Sequence, residues 1–396
     1  MSLNNTPNAN RVHIGFYGKR NSGKSSLINS FVGQEVAIVS NIAGTTTDPV
    51  YKAMEIYGIG ACVLIDTAGF DDVGSLGEMR VEKTTKAADK TDIAILLFSD
   101  EDMDKELEWF QIFKKKHTPV LCVISKADTI TDIAYLEKLV KDKTGVGPIR
   151  VSNKHSDSLE KFKEALIRLV PEDYEMQSIT SYLVNESDIV MLVMPQDIQA
   201  PKGRLILPQV QTIRDLLDNK CIVISSTTDK LEEALAALSK PPKLIITDSQ
   251  VFKTVYDKKP PESLLTSFSV LFAAYKGDLP YYIKGATAID QLTEKSKVLI
   301  AECCTHAPLT EDIGREKLPI ALRKRVGKGL TVDIVSGTDF PNDLTNYDLI
   351  IQCGACMFNR KYVLTRIERA KSQGVPMSNY GVVLAYLSGI LDKISY

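Results

Sequence analysis

The sequence predicts an α/β protein of three successive domains, each built on a mostly parallel sheet. Three observations predict it. The chain has 396 residues, 44% of them hydrophobic, which is too long for one ordinary core and rich enough to bury several. Short apolar, β-branched runs alternate with longer helical patterns, the grammar of βαβ units. Two breaks interrupt the alternation, Pro171 with its acidic neighbours and Lys258-Lys259-Pro260-Pro261, where helices stop and linkers start. The domains expected are residues 8–172, 177–262 and 264–396.

In the first, strands are expected at Val12 to Tyr17, Ala61 to Ile65, Ile93 to Phe98, Val120 to Ile124 and Ile149 to Val151, with a closing helix from Leu159 to Leu169. In the second, strands at Ile189 to Met194, Cys221 to Ile224 and Leu244 to Ile246 alternate with helices from Gln209 to Leu217 and Leu231 to Leu238. The third begins near Leu264 with an apolar stretch from Phe268 to Ala274. Strands follow at Val298 to Ala301, Leu330 to Val335 and Leu349 to Ile351, with helices from Ile313 to Val326 and Tyr362 to Lys371. No short repeat or low-complexity segment interrupts this order.

Charge and hydropathy exclude some roles. Forty-eight Lys and Arg oppose 50 Asp and Glu, a net charge of −2, so bulk charge does not predict a nucleic-acid partner. No apolar run reaches the roughly 18 residues of a membrane span. The polar start, Met1 to Asn10, lacks the basic and apolar regions of a signal peptide, so a cytoplasmic protein without a membrane partner is expected. Seven cysteines, an odd number, argue for reduced thiols over a disulfide framework. Cys62, Cys122 and Cys221 sit inside apolar runs as small core residues, while Cys303, Cys304, Cys353 and Cys356 crowd the end of the chain.

Gly18-Lys19-Arg20-Asn21-Ser22-Gly23-Lys24-Ser25 follows the first strand and precedes the helical Ser26 to Phe31, the context a P-loop requires. Its glycines let backbone N–H groups face phosphates, Lys24 neutralises the outer phosphates, and the Ser25 hydroxyl ligates Mg2+. Asp66-Thr67-Ala68-Gly69 ends another strand, offering a carboxylate for Mg2+ and a glycine N–H for the terminal phosphate. Ser125-Lys126-Ala127-Asp128 and Ser152-Asn153-Lys154 end two more. All four lie at the carboxyl ends of parallel strands, where open α/β sheets bind ligands.

With these motifs, residues Arg11 to Val170 resemble the translation-factor-related GTPases. The resemblance implies that Asp128 accepts both guanine N–H donors, selecting GTP over ATP. Ser125 stands where the family usually has Asn, which implies weaker base affinity. Thr45, Thr46 and Thr47 after Gly44 match the switch whose threonine completes the Mg2+ shell, without saying which one. Water would attack the terminal phosphate, with positioning and charge stabilisation as the main work. Phe70 follows Gly69 where many relatives have a water-orienting Gln, so slow hydrolysis is expected. Asn21 matches the asparagine that helps hold K+ in relatives resembling the tRNA-modification GTPases, which implies potassium stimulation; its alternative is to shape the loop.

Cys304-Thr305-His306 and Cys353-Gly354-Ala355-Cys356 form a second chemical signal. Cys304 and Cys353 follow separate strands, so a parallel sheet would bring them to one edge, with Cys356 entering a helix. Three cysteines with His306 suit structural zinc, while three with an exchangeable fourth position suit a 4Fe-4S cluster. Cys303 is expected to face elsewhere. With a GTPase domain and a small middle domain, this constellation resembles the HydF family, the GTPase scaffold of FeFe-hydrogenase maturation, over essentially the whole chain. The resemblance implies that Cys304, Cys353 and Cys356 hold the cluster and that the middle domain forms a homodimer. It also implies that a di-iron precursor passes from radical maturation enzymes to the immature hydrogenase. Members often carry His before the second cysteine pair, where this chain has Gln352, leaving the fourth ligand to His306 or to exchange. An RNA-modification or ribosome-assembly GTPase and a zinc-stabilised GTPase are the alternatives.

Overall fold

The computed structural model describes residues 8–33, 49–70, 75–152, 156–170, 178–196, 205–303 and 312–396. They fall into two compact units, Met1–Glu175 and Met176–Tyr396.

The first unit is a six-stranded sheet in the order β2-β3-β1-β4-β5-β6. Strands β1 (Val12–Tyr17), β3 (Gly60–Asp66), β4 (Ile93–Phe98), β5 (Val120–Ile124) and β6 (Ile149–Arg150) run parallel. The apolar runs of β1 and β4 are buried along their whole length, as expected of strands covered on both faces. One face packs Ile14, Phe16, Leu64 and Ile95 with Leu27 of α1 (Lys24–Val32) and Phe162 and Leu166 of α5 (Ser156–Leu169). The other packs Tyr17, Leu96 and Phe98 with Trp109 and Phe113 of α3 (Asp104–Lys115) and Leu136 of α4 (Ile133–Thr144). Helix α2 (Ser75–Ala88) precedes β4. An antiparallel strand missing from the sequence expectation, β2 (Val50–Ile56), pairs with β3. Its exposure alternates, as on a half-covered edge. The order switches direction between β1 and β4, so the crevice for a ligand opens where the P-loop leaves β1.

The second unit holds two four-stranded sheets, β10-β9-β7-β8 and β12-β11-β13-β14, parallel throughout. The first comprises β7 (Ile189–Val193), β8 (Ile222–Ser226), β9 (Leu244–Thr247) and β10 (Leu264–Ser267), crossed by α6 (Leu207–Asp218), α7 (Leu231–Ala236) and α8 (Phe252–Lys258). Helices α9 (Phe268–Lys276) and α10 (Leu279–Thr287) lead into β11 (Lys297–Ala301), β12 (Thr331–Val335), β13 (Leu349–Gln352) and β14 (Met377–Asn379). Helices α11 (Leu318–Val326), α12 (Arg360–Ser372) and α13 (Tyr380–Leu387) cover that sheet.

Two local expectations change here. The run Lys258 to Pro261 is no linker between domains, because Leu264↔Leu244 and the pairs after it place β10 in the first of these sheets. The prolines make the turn from α8 to β10. Ile313 does not begin an α-helix: Ile313–Lys317 winds as a π-helix, capped by Asp312, before α11 starts. The two sheets also share a core, in which Met191, Ile245 and Leu265 pack in one cluster with Leu299, Ile350 and Met377 through Val270, Ala273 and Tyr282. Gly285 lets α10 touch β14, since a Cβ there would fall on the Met377 carbonyl.

Candidate functional site

Every described member of the predicted nucleotide site lies at the carboxyl edge of the first sheet. Gly23 takes φ +92° and caps α1, which begins at Lys24; a left-handed residue here lets the loop turn its N–H groups inward. Asn21 is also left-handed, at φ +58°, a conformation asparagine tolerates better than most residues. The buried Lys24 ammonium donates to the Gly18 and Lys19 carbonyls at 2.9 and 2.7 Å. Ser22 is buried with no partner for its hydroxyl, and Ser26 is exposed on α1.

Ser25 donates to Asp66 Oδ2 at 2.7 Å, while Asp66 Oδ1 is buried without a partner. Burial pushes the Asp66 carboxyl above its usual range, against the pull of Ser25 and Lys24. A hydroxyl and an orphaned carboxylate oxygen side by side are the donor set of a hard, oxygen-loving cation, and they fit Mg2+. Thr67 is tied to the Phe16 carbonyl at 2.6 Å, which fixes the Asp66-to-Gly69 segment on β1. Phe70 turns into the core and stacks on Trp109 at 5.7 Å between centroids. That side chain cannot orient water.

On the base side, Ser125 donates to the Ser22 carbonyl at 2.6 Å, so the shorter residue still bridges to the P-loop. Lys126, at φ +52°, donates to the Asn21 carbonyl at 2.6 Å. Ser152 donates to Asp128 Oδ1 at 2.9 Å and so holds that carboxylate in place. Gly23, Leu27, Ser125, Lys126, Asp128, Thr129 and Val151 line a cavity of 230 Å3. Thr45, Thr46, Thr47, Asn153 and Lys154 lie outside the described residues.

Sequence reasoning missed a clamp on this loop. Lys19 pairs with Asp100 and Asp102 at 3.1 Å each and with Glu106 at 3.9 Å. Glu106 is 1% exposed, and burial pushes its carboxyl up to about 7. Nothing in the spacing of the P-loop to α3 signals this contact.

At the carboxyl edge of the last sheet, Cys303 and Cys353 meet. The register Ala301↔Gln352 sets β11 against β13, and the Cys303 N–H donates to Cys353 Sγ at 3.1 Å. A hydrogen bond from the Cys303 thiol brings Cys353 below its usual pKa, while burial holds Cys303 well above its own. Cys303 therefore faces the site, not away from it. Cys356 lies in the turn ahead of α12, which starts at Arg360, not in the helix. Cys304 and His306 lie outside the described residues, and among the described residues no three Cys, His, Asp or Glu side chains gather as a metal site. Gln352 is engaged in the core, donating to Tyr282 at 3.4 Å and accepting from Arg366 at 3.5 Å.

Two buried cations flank these sulfurs. The Arg366 guanidinium lies 4.7 to 5.0 Å from the rings of Phe340, Phe358 and Tyr362 and 3.8 Å from Cys303 Sγ. Lys276, 1% exposed, donates to the Ala355 and Phe358 carbonyls at 3.0 and 2.8 Å. Burial pulls its ammonium down to about 8, and the sulfurs of Cys356, Cys303 and Cys353 pull it back up. Sulfur donors between buried positive charges are the right chemistry for an anionic, thiolate-held iron–sulfur cluster. Nearby, Glu302 is held by Arg315 at 2.8 Å and Ser336 at 3.1 Å.

Comparison with known proteins divides along the same lines. Residues 280–395 match the family described as Hydrogen maturase F tetramerization domain, 179–277 the Hydrogen maturase F dimerization domain, and 13–126 the 50S ribosome-binding GTPase family. GTPase Der of Campylobacter hominis is 33% identical over 162 residues, 39% of this chain and 34% of its own. The tRNA modification GTPase MnmE of Chromobacterium violaceum is 32% identical over 161 residues, 40% of this chain and 35% of its own. The chain thus spans about a third of the length of these curated relatives. Among solved structures, Era in complex with MgGDPNP and a piece of 16S ribosomal RNA is 17% identical, covering 57% of this chain and 97% of its own, with a TM-score of 0.36.

Proposed function

The chain belongs to the hydrogen maturase F family, and from that premise we propose that it is a GTP-hydrolysing scaffold for FeFe-hydrogenase maturation. In this reading it holds a 4Fe-4S cluster through Cys304, Cys353 and Cys356, receives a di-iron precursor from radical maturation enzymes, and passes it to the immature hydrogenase. The observation that carries the reading is the presence of a P-loop edge in one unit and of cysteines beside two buried cations in the other.

Asp128 accepts the guanine N–H donors, and Ser152 holds it in position. Lys24 leaves its loop carbonyls for the outer phosphates, and the Gly69 N–H meets the terminal phosphate as water attacks it. Ser25 and Asp66, with one of Thr45, Thr46 and Thr47, hold Mg2+, which when bound neutralises phosphate charge. With Phe70 in the core, position 70 supplies no amide to orient the water, so turnover is slow until another group supplies that role. Asn21 contributes a ligand to K+, and turnover rises in potassium over sodium buffer; equal rates would remove the potassium assignment.

Cys304, Cys353 and Cys356 would hold the cluster, which would supply an exchangeable coordination position. The segment matched by the dimerization model, 179–277, pairs two copies into a homodimer, and the tetramerization match over 280–395 supports further assembly. The hydrogen maturase matches cover the second unit, at 179–277 and 280–395, which supports this reading over an RNA-modification role. Iron and acid-labile sulfide in anaerobically reconstituted protein test the reading, and zinc without sulfide would refute it.

A further inference from the structure

Lys276 closes α9, yet its ammonium does not cap that helix. It reaches the loop between Cys353 and α12 and donates to the carbonyls of Ala355, Phe358 and, at 3.5 Å, Cys356. Ala355, between the two cysteines, is 3% exposed and left-handed at φ +51°. That backbone is strained for a residue with a Cβ, and Lys276 holds the carbonyl it turns inward. The same twist lets the Ala355 N–H donate to Cys353 Sγ.

Among the described residues no carboxylate lies within ion-pair distance of this ammonium. The titratable groups that act on it are the thiols of Cys356, Cys303 and Cys353. A buried charge with no counter-charge is among the costliest features a core can carry. It is kept where something anionic completes the site. Lys276 also falls in the segment matched by the dimerization model, while the loop it holds falls in the tetramerization match.

We propose that Lys276 is a positioning residue for the cluster: it fixes the Cys353–Cys356 loop in its ligating shape and supplies the cluster's counter-charge from the dimerization segment. The inference rests on the cluster reading of the cysteines. A positive charge close to the cluster favours its more reduced, more negative state, so Lys276 raises the reduction potential.

The test uses the full-length protein, reconstituted anaerobically with iron and sulfide, as wild type, Lys276→Met and Lys276→Arg. Redox titration followed by electron paramagnetic resonance should place the Lys276→Met potential below wild type and the Lys276→Arg potential near it. Iron release from Lys276→Met to a chelator should be roughly 10- to 100-fold faster, the usual effect of losing an outer-shell partner. Loading should raise the unfolding temperature of wild type by more than that of Lys276→Met. Identical potential and iron release in wild type and Lys276→Met would overturn the inference and leave the cluster reading standing. So would a Lys276→Met chain that cannot fold even when empty, or a Lys276→Arg potential displaced as far as that of Lys276→Met. Wild type that takes up no iron and sulfide would overturn both.

Discussion

Single residues decide what the nucleotide site can bind. Asp128, aimed by Ser152, offers two acceptors where guanine has two donors. Charge-assisted hydrogen bonds are worth about 1.5–3 kcal/mol each, so Asp128→Asn should weaken GTP binding by on the order of 100-fold or more in a fluorescent-nucleotide titration. An unchanged affinity would remove guanine recognition from that residue. Ser125 shows how a departure from pattern can be half repaired. Its hydroxyl keeps the bridge to the Ser22 carbonyl, the part a short side chain can reach. Glu106 makes a residue-level pH prediction. Its folded pKa of about 7 is raised from 4.5 by burial, so the folded state binds the proton more tightly than the unfolded one. Its contribution is then fully favourable below about pH 4.5 and is lost as pH rises toward 7. Lys19, Asp100 and Asp102 face it there, and Lys19 softens the loss. Glu106→Gln should flatten that component of the melting temperature between pH 4.5 and 7.5.

At the scale of elements, the fully buried strands were the legible part. β1, β4, β5, β7, β9, β11 and β13 are rich in apolar residues because parallel strands are covered on both faces. Their motif-bearing ends follow from the same fact. β2 escaped notice because an edge strand is half exposed and reads as an ordinary polar segment. β10 was hidden by the prolines before it, which signal a turn without saying what the turn connects. The P-loop, Asp66, Ser125 and Asp128 were readable because local spacing encodes them. Lys19, Lys276 and Arg366 were not, since each acts on a loop about 80 or fewer residues away whose position only the packed sheets define. The bond from the Cys303 N–H to Cys353 Sγ was hidden for a related reason, since it joins segments far apart in sequence. Close packing of α10 on β14 gives the element-level prediction. Gly285→Ala should cost about 1–3 kcal/mol, as overpacking does, seen as a lower melting temperature of the transition that includes the second unit.

For the whole molecule, GTP chemistry and the cysteines occupy separate compact units, each with its own core. Lys24→Ala should therefore abolish most GTP turnover, by roughly 100-fold or more as electrostatic stabilisation of the phosphates is lost, while leaving iron and sulfide content unchanged. Loss of both together would mean that the nucleotide site builds the cysteine site, against the separation of the two cores. Described helices offer nothing long and apolar enough to cross a membrane. On the proposed reading, the second unit carries an iron–sulfur cluster beside Lys276 and Arg366. The most direct test is iron and acid-labile sulfide per chain after anaerobic reconstitution, in wild type and in Cys353→Ser/Cys356→Ser. Near-stoichiometric iron and sulfide in wild type, lost in the double variant, is the predicted result; zinc without sulfide, or iron retained without the two cysteines, would contradict it.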